Sequence, residues 1–122
     1  MATGMQGVGL WAELSLIDLS GKLNCFAKID PTTGQLTLAG LGDEVFGCIT
    51  EAATQGYSST IQYSDVGKII LGATLSAWTR VVSDANGHAV ALTSSPPNQR
   101  VAGIIIRGGN SGEVVPILLD RA

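Results

Sequence analysis

The chain has 122 residues, of which 45% are hydrophobic and only 14% charged, with 16 glycines and a formal net charge of −3. That length fits one domain able to bury a core of its own. The acidic balance argues against a nucleic-acid partner, which needs a basic face to displace counterions, and no run approaches the ~18 apolar residues of a membrane span.

Taken in chain order, the segments read as short strands and turns. The N-terminus MATGMQGVGLW lacks the basic region and apolar run of a signal peptide, and its first seven residues are expected to order only on binding. In GVGLWAELSLIDLSGKLNCF, residues 7–26, Leu10, Ala12, Leu14 and Leu16 recur at period two. Trp11, Glu13, Ser15 and Ile17 fall on the other side, as in a long strand. A helix over residues 11–19 also fits, because Leu10, Leu14 and Ile17 share a helical face. The reading preferred is an extended arm.

Residues 27–40, AKIDPTTGQLTLAG, form a hairpin pattern in which Asp30-Pro31 opens the turn and Gly34 closes it. Residues 45–50, 59–63 and 68–71 are further strand candidates, and EAATQG at 51–56 makes at most one helical turn. VVSDANGHAVAL, residues 81–92, holds an Asn-Gly turn signal between apolar runs. SSPPNQ, residues 94–99, is a loop. In GIIIRGGNSGEVVPILL, residues 103–119, a Gly-rich turn joins two apolar runs. Pro116 demotes the second of these to an edge or a bulge. Short strands separated by turn signals predict an all-β fold, a compact β-sandwich or barrel-like domain of short hairpins.

No catalytic constellation emerges, and catalytic, metal and cofactor sites are all read as absent. Ser111 in GNSGE, with His88 and Asp84, supplies the residue types of a hydrolase triad. A triad is recognised by geometry rather than by inventory, and the glycines around Ser111 are accounted for as turn chemistry. His88, the single histidine, opens the returning strand of its hairpin and needs no catalytic duty. Asp43-Glu44 reads as a solvated turn. Cys25 and Cys48 lack metal-ligand spacing and each adjoins a hydrophobe, so both read as small buried apolar residues.

Charge is unevenly spread. Residues 1–51 carry two lysines against six carboxylates, whereas residues 52–122 are slightly basic. This polarity fits unevenly charged solvated loops at least as well as copies packing head to tail. A charged fraction well below the roughly 25% of an average globular protein also points to surface covered by other subunits.

Three stretches together resemble the phage capsid cement, or head decoration, proteins. These are LTLAGLGDEVFGCITEAATQG, VGKIILGATLSAWTRVVSDANGHAVAL and VAGIIIRGGNSGEVVPILL. The likeness runs from about Phe26 to Leu119 and lies in the order and spacing of three Gly-bearing hairpins. Trp78-Thr79 stands where such proteins often have a Gly-Asp turn, Arg107 stands where a small residue is usual, and residues 1–25 match poorly. The resemblance implies an N-terminal arm over residues 1–25 and a decoration domain over 26–122. It further implies a non-enzymatic protein, made in the host cytoplasm, that binds the major capsid protein on the outer surface of the expanded head as a homotrimer. In that role the arm would order on the shell or on a neighbour through Leu10, Trp11, Leu14, Leu16 and Ile17, and deleting residues 1–20 would leave a folded domain. A rival is a small β-sandwich module on a virion that binds a host surface or glycan, although six aromatic residues are few for a glycan site.

Overall fold

The computed structural model describes residues 9–93 and 98–119. The first seven residues and most of the Pro-Pro loop lie outside these. The described residues form ten strands and no helix: β1 (Leu10–Leu14), β2 (Phe26–Ile29), β3 (Leu36–Leu38), β4 (Gly47–Glu51), β5 (Ser58–Gln62), β6 (Asp65–Ile70), β7 (Arg80–Ser83), β8 (Ala89–Ala91), β9 (Gly103–Ile105) and β10 (Val114–Leu119). They pair antiparallel into two five-stranded sheets, ordered β1-β5-β4-β2-β3 and β6-β10-β9-β7-β8. The all-β expectation holds, and the single helical turn at 51–56 is a turn instead.

The two sheets have the same topology. Each is rolled until its edge strands meet at one parallel bridge, Ser15↔Leu36 in the first and Leu71↔Ala89 in the second. The hydrogen bonds around these bridges match. Ser15 donates to Tyr57 O as Leu71 does to Glu113 O, both at 2.9 Å, and Leu19 donates to Ala53 O as Leu75 does to Gly109 O, both at 3.0 Å. Backbone conformation repeats too. The ten positive-φ positions among the described residues fall into five equivalent pairs: Gly9/Asp65, Asn24/Trp78, Gly34/Gly87, Gly42/Asn98 and Gly56/Gly112. The molecule is therefore a tandem of two small barrels, here called modules, joined after β5 by Tyr63-Ser64 alone.

Equivalent positions also build the two interiors. Leu19, Ala27, Leu36, Ile49 and Ile61 fill the first, and their counterparts Leu75, Val81, Ala89, Ile105 and Ile117 lie in the second. One pair differs in kind. The first module buries Ser15 and Ser59, whose hydroxyls bond each other at 2.7 Å. The second has Leu71 and Val115 there. Ser59 Oγ also accepts the Ala53 N–H at 3.0 Å. Ser59→Ala leaves that half-buried donor and the buried Ser15 hydroxyl unpartnered, whereas Ser15→Ala leaves Ser59 one partner. Denaturant titration should therefore show Ser59→Ala losing about 2 kcal/mol and Ser15→Ala about half of that.

The modules are packed on one another. Alternation along β2 and β4 sends Ala27 and Ile49 into the first interior and Phe26 and Cys48 out of it. Phe26 and Cys48, with Ala39 and Val45, insert into the core of the second module. Small residues there make room. Where the first module has Trp11, Phe46 and Tyr63, the second has Gly67, Ala102 and Leu119. Backbone bonds cross the seam from Phe26 N–H to Gly87 O, 2.7 Å, and from Gly42 N–H to Ser83 O, 2.8 Å.

Two local expectations change. Pro116 lies in β10, which is flanked by β6 and β9 and is not an edge strand. It is tolerated because β9 ends at Ile105. Pro116 O still accepts the Ile106 N–H at 3.1 Å, and only the reciprocal bond is missing, just beyond the ladder. In the Asn86-Gly87 turn, Gly87 alone takes positive φ, +76°. The Asp84 carboxylate ties that turn, accepting the N–H groups of Asn86 at 2.8 Å and His88 at 2.9 Å.

Candidate interaction surface

The outward rows of the two sheets have opposite fates. In the first module, Leu10, Gln62, Cys48 and Phe26 lie side by side across four strands. Cys48 and Phe26 in this row are fully buried against the second module. The equivalent row of the second module is Val66, Leu118, Ile104 and Arg80. Among the described residues its Val66–Leu118 end is uncovered: Val66 is 53% exposed and Leu118 38%, while Ile104 is half-buried. Beside its Arg80 end stands Trp78, 68% exposed.

Trp78 is also conformationally out of place. Its φ is +66°, a left-handed conformation in which a bulky side chain crowds the following carbonyl. The equivalent residue, Asn24, has φ +64°, and asparagine tolerates that region. Holding a tryptophan there costs about 1–2 kcal/mol, and its exposed ring returns little burial to the free protein.

A second exposed apolar face lies on the first module. Leu14 is 42% exposed and Ile17 41%, and Tyr57 adjoins them through the Ser15–Tyr57 backbone bond. Glu51, bonded by the Thr60 hydroxyl at 2.8 Å, shares the outward face with Leu14 across the β1–β5–β4 pairing. Asp18 follows Ile17.

No family model matches the chain, and no curated protein matches it. A solved structure does. The chain has the fold of the head fiber gp8.5 N base of bacteriophage phi29. The two superpose with a TM-score of 0.69 over 93% of this chain and 94% of that one, at 10% sequence identity. So low an identity equates the folds and carries no individual residue across.

The five residues predicted to make an interface separate. Leu14 and Ile17 are exposed, and Leu10 and Leu16 are half-buried. Trp11 turns inward, packing edge-on against Phe46 at 6.4 Å, with its indole N–H on Glu13 at 3.3 Å. The described part of the predicted arm is integrated into the first module: β1 pairs with β5 at five positions, and Leu19 is wholly buried. Trp78 and Tyr57 were not singled out as interface residues. A signal for Trp78 was present, because it occupies a place where a glycine turn was expected.

Among the described residues no cluster of His, Cys, Asp and Glu could hold a metal ion, and no helix is long and apolar enough to cross a membrane. Ser111 and His88 lie in different turns, β9–β10 and β7–β8. Cys25 and Cys48 are buried and form no disulfide, and burial raises the Cys25 pKa.

Asp18, Asp30 and Asp43 are tuned by local bonds, and at Asp18 the Ser20 hydroxyl and N–H lower the pKa. The Thr33 N–H and hydroxyl lower the Asp30 pKa. At Asp43 partial burial alone would raise it, but the Lys28 ammonium at 2.7 Å and the Gly40 N–H at 2.8 Å together hold it below the ordinary range. All three groups have depressed folded-state pKa values. Their contribution to stability is complete above the unfolded carboxylate value of about 3.9 and is lost as pH falls through the folded values. Thermal melts between pH 6 and pH 2 should show the loss starting near pH 4, and it should be smaller in Asp43→Asn.

Proposed function

We propose that this is a structural, non-enzymatic protein of a phage head, one that decorates the outer surface of the expanded shell as a homotrimer bound to the major capsid protein. The observation that carries the reading is the nearly end-to-end fold match to a head fiber base. The order and spacing of the three hairpins, which resemble the head decoration family, point the same way from the sequence. So does the low charge, which suits a surface shared with neighbours. Such a protein acts by mass action: it binds the assembled, expanded lattice and so stabilises it against disassembly. Synthesis in the host cytoplasm and no cofactor, metal or catalytic residue belong to the same reading.

Immunogold labelling of intact virions, with antibody raised against the purified protein, tests the location. The expected result is label distributed over the head exterior. Label confined to tails, or no label on intact particles, would overturn it. The first of those outcomes would favour a host-surface or glycan recognition module.

A further inference from the structure

The open row of the second module is the counterpart of a row that is buried at its Cys48–Phe26 end in this molecule. In the first module the Cys48–Phe26 end of that row is covered by a β-module of the same fold, so the chemistry of that end is that of a module–module joint. The matching row of the second module, Val66–Leu118–Ile104–Arg80, has no such cover among the described residues, and Trp78 stands at its rim in a backbone conformation that disfavours it. A strained residue that is also exposed does little for the free fold, which points to a role in contact.

We propose that this row, anchored by Trp78, seats on the Leu14–Ile17–Tyr57 face of a second copy of the chain. Charge selects that occupant. The described second module carries Lys68, Arg80, Arg100 and Arg107 against three acids, and Arg80 ends the row. The described first module carries two lysines against six carboxylates, with Asp18 and Glu51 beside the apolar face. Because the two faces differ, the joint is heterologous. A heterologous joint closes into a ring when its rotation allows, and a ring of three supplies the trimer of the proposed function, on which this assignment rests.

Analytical ultracentrifugation of wild type, Trp78→Asn and Tyr57→Asp tests it. Wild type is expected to self-associate, more weakly as salt rises. Trp78→Asn should be monomeric, with association weakened at least ~10-fold. Its melting temperature, read on the monomer at low concentration, should nevertheless rise by about 3–6 °C, because asparagine relieves the strain. Tyr57→Asp should also be monomeric. An equimolar mixture of the two variants should form a 1:1 dimer and nothing larger, since each retains the face the other lacks. A wild-type trimer that persists in Trp78→Asn would overturn the assignment and leave the trimeric reading standing. A mixture that stays monomeric would exclude the pairing of these two faces. Wild type that remains monomeric at millimolar concentration in low salt would overturn both this joint and the homotrimer, and binding to heads would still decide the rest.

Discussion

Alanine at Gly47 or Gly103 is expected to be the most destructive single substitution in the molecule. The two glycines open β4 and β9 at equivalent positions in the two modules. A Cβ at Gly47 would fall on the carbonyl oxygen of Gln62, and one at Gly103 on that of Leu118. Each obstacle is backbone of the neighbouring strand, already committed to the sheet, so no side chain can turn aside to make room. The expected loss is about 4 kcal/mol or more, enough to leave either variant largely unfolded at physiological temperature. Gly21→Ala is the control: its Cβ would meet nothing within 4 Å, and stability should stay within about 0.5 kcal/mol of wild type. Equal tolerance at all three positions, measured by denaturant unfolding, would contradict the packing described.

The second large effect concerns the N-terminal segment. Removal of residues 1–20 is expected to unfold at least the first module. The sequence suggests the opposite, a detachable arm. In the structure β1 supplies one edge of the rolled sheet, the Ser15–Leu36 bridge closes it, and Leu19 is a wholly buried member of its core. Leu19→Ala alone should cost about 3 kcal/mol. Circular dichroism and a melting curve on the truncated chain check this. A cooperative transition at the wild-type temperature would show that β1 and Leu19 are dispensable after all.

These two cases mark what could be read from the residues and what could not. Strand content was legible because alternation and turn residues are local signals. The runs at 59–63 and 103–119 and the hairpin around Asn86-Gly87 lie where they were expected. The tandem repeat was not legible. The identities that carry it are thinly spread, namely Leu19/Leu75, Asp30/Asp84, Gly34/Gly87, Val45/Val101, Gly47/Gly103, Ile49/Ile105, Gly56/Gly112 and Ile61/Ile117. They fall where backbone geometry or an interior position restricts the residue, and elsewhere the modules diverge. The facing of β1 was hidden for a related reason. Its leucines alternate as a buried face would, yet Leu14 points to solvent while Trp11 and Ser15 point inward. Hydropathy alone cannot rank a row containing Trp and Ser above a leucine row when the outward row is itself apolar. Pro116 misled because a proline rule written for complete ladders does not apply one residue past a strand end.

The exposure of the interface candidates was half legible. Leu14 and Ile17 were picked for their pattern and are exposed, whereas Trp11 was picked with them and serves the core. Trp78 became meaningful only against Asn24, its equivalent across the repeat. That comparison needs the fold first.

Co-sedimentation of the purified protein with expanded heads that lack it, alongside unexpanded shells, tests the central claim most directly. The account predicts saturable binding to expanded heads alone, in multiples of three copies, with raised resistance of those heads to heat. Absence of binding to either shell, by protein that melts cooperatively, would contradict it.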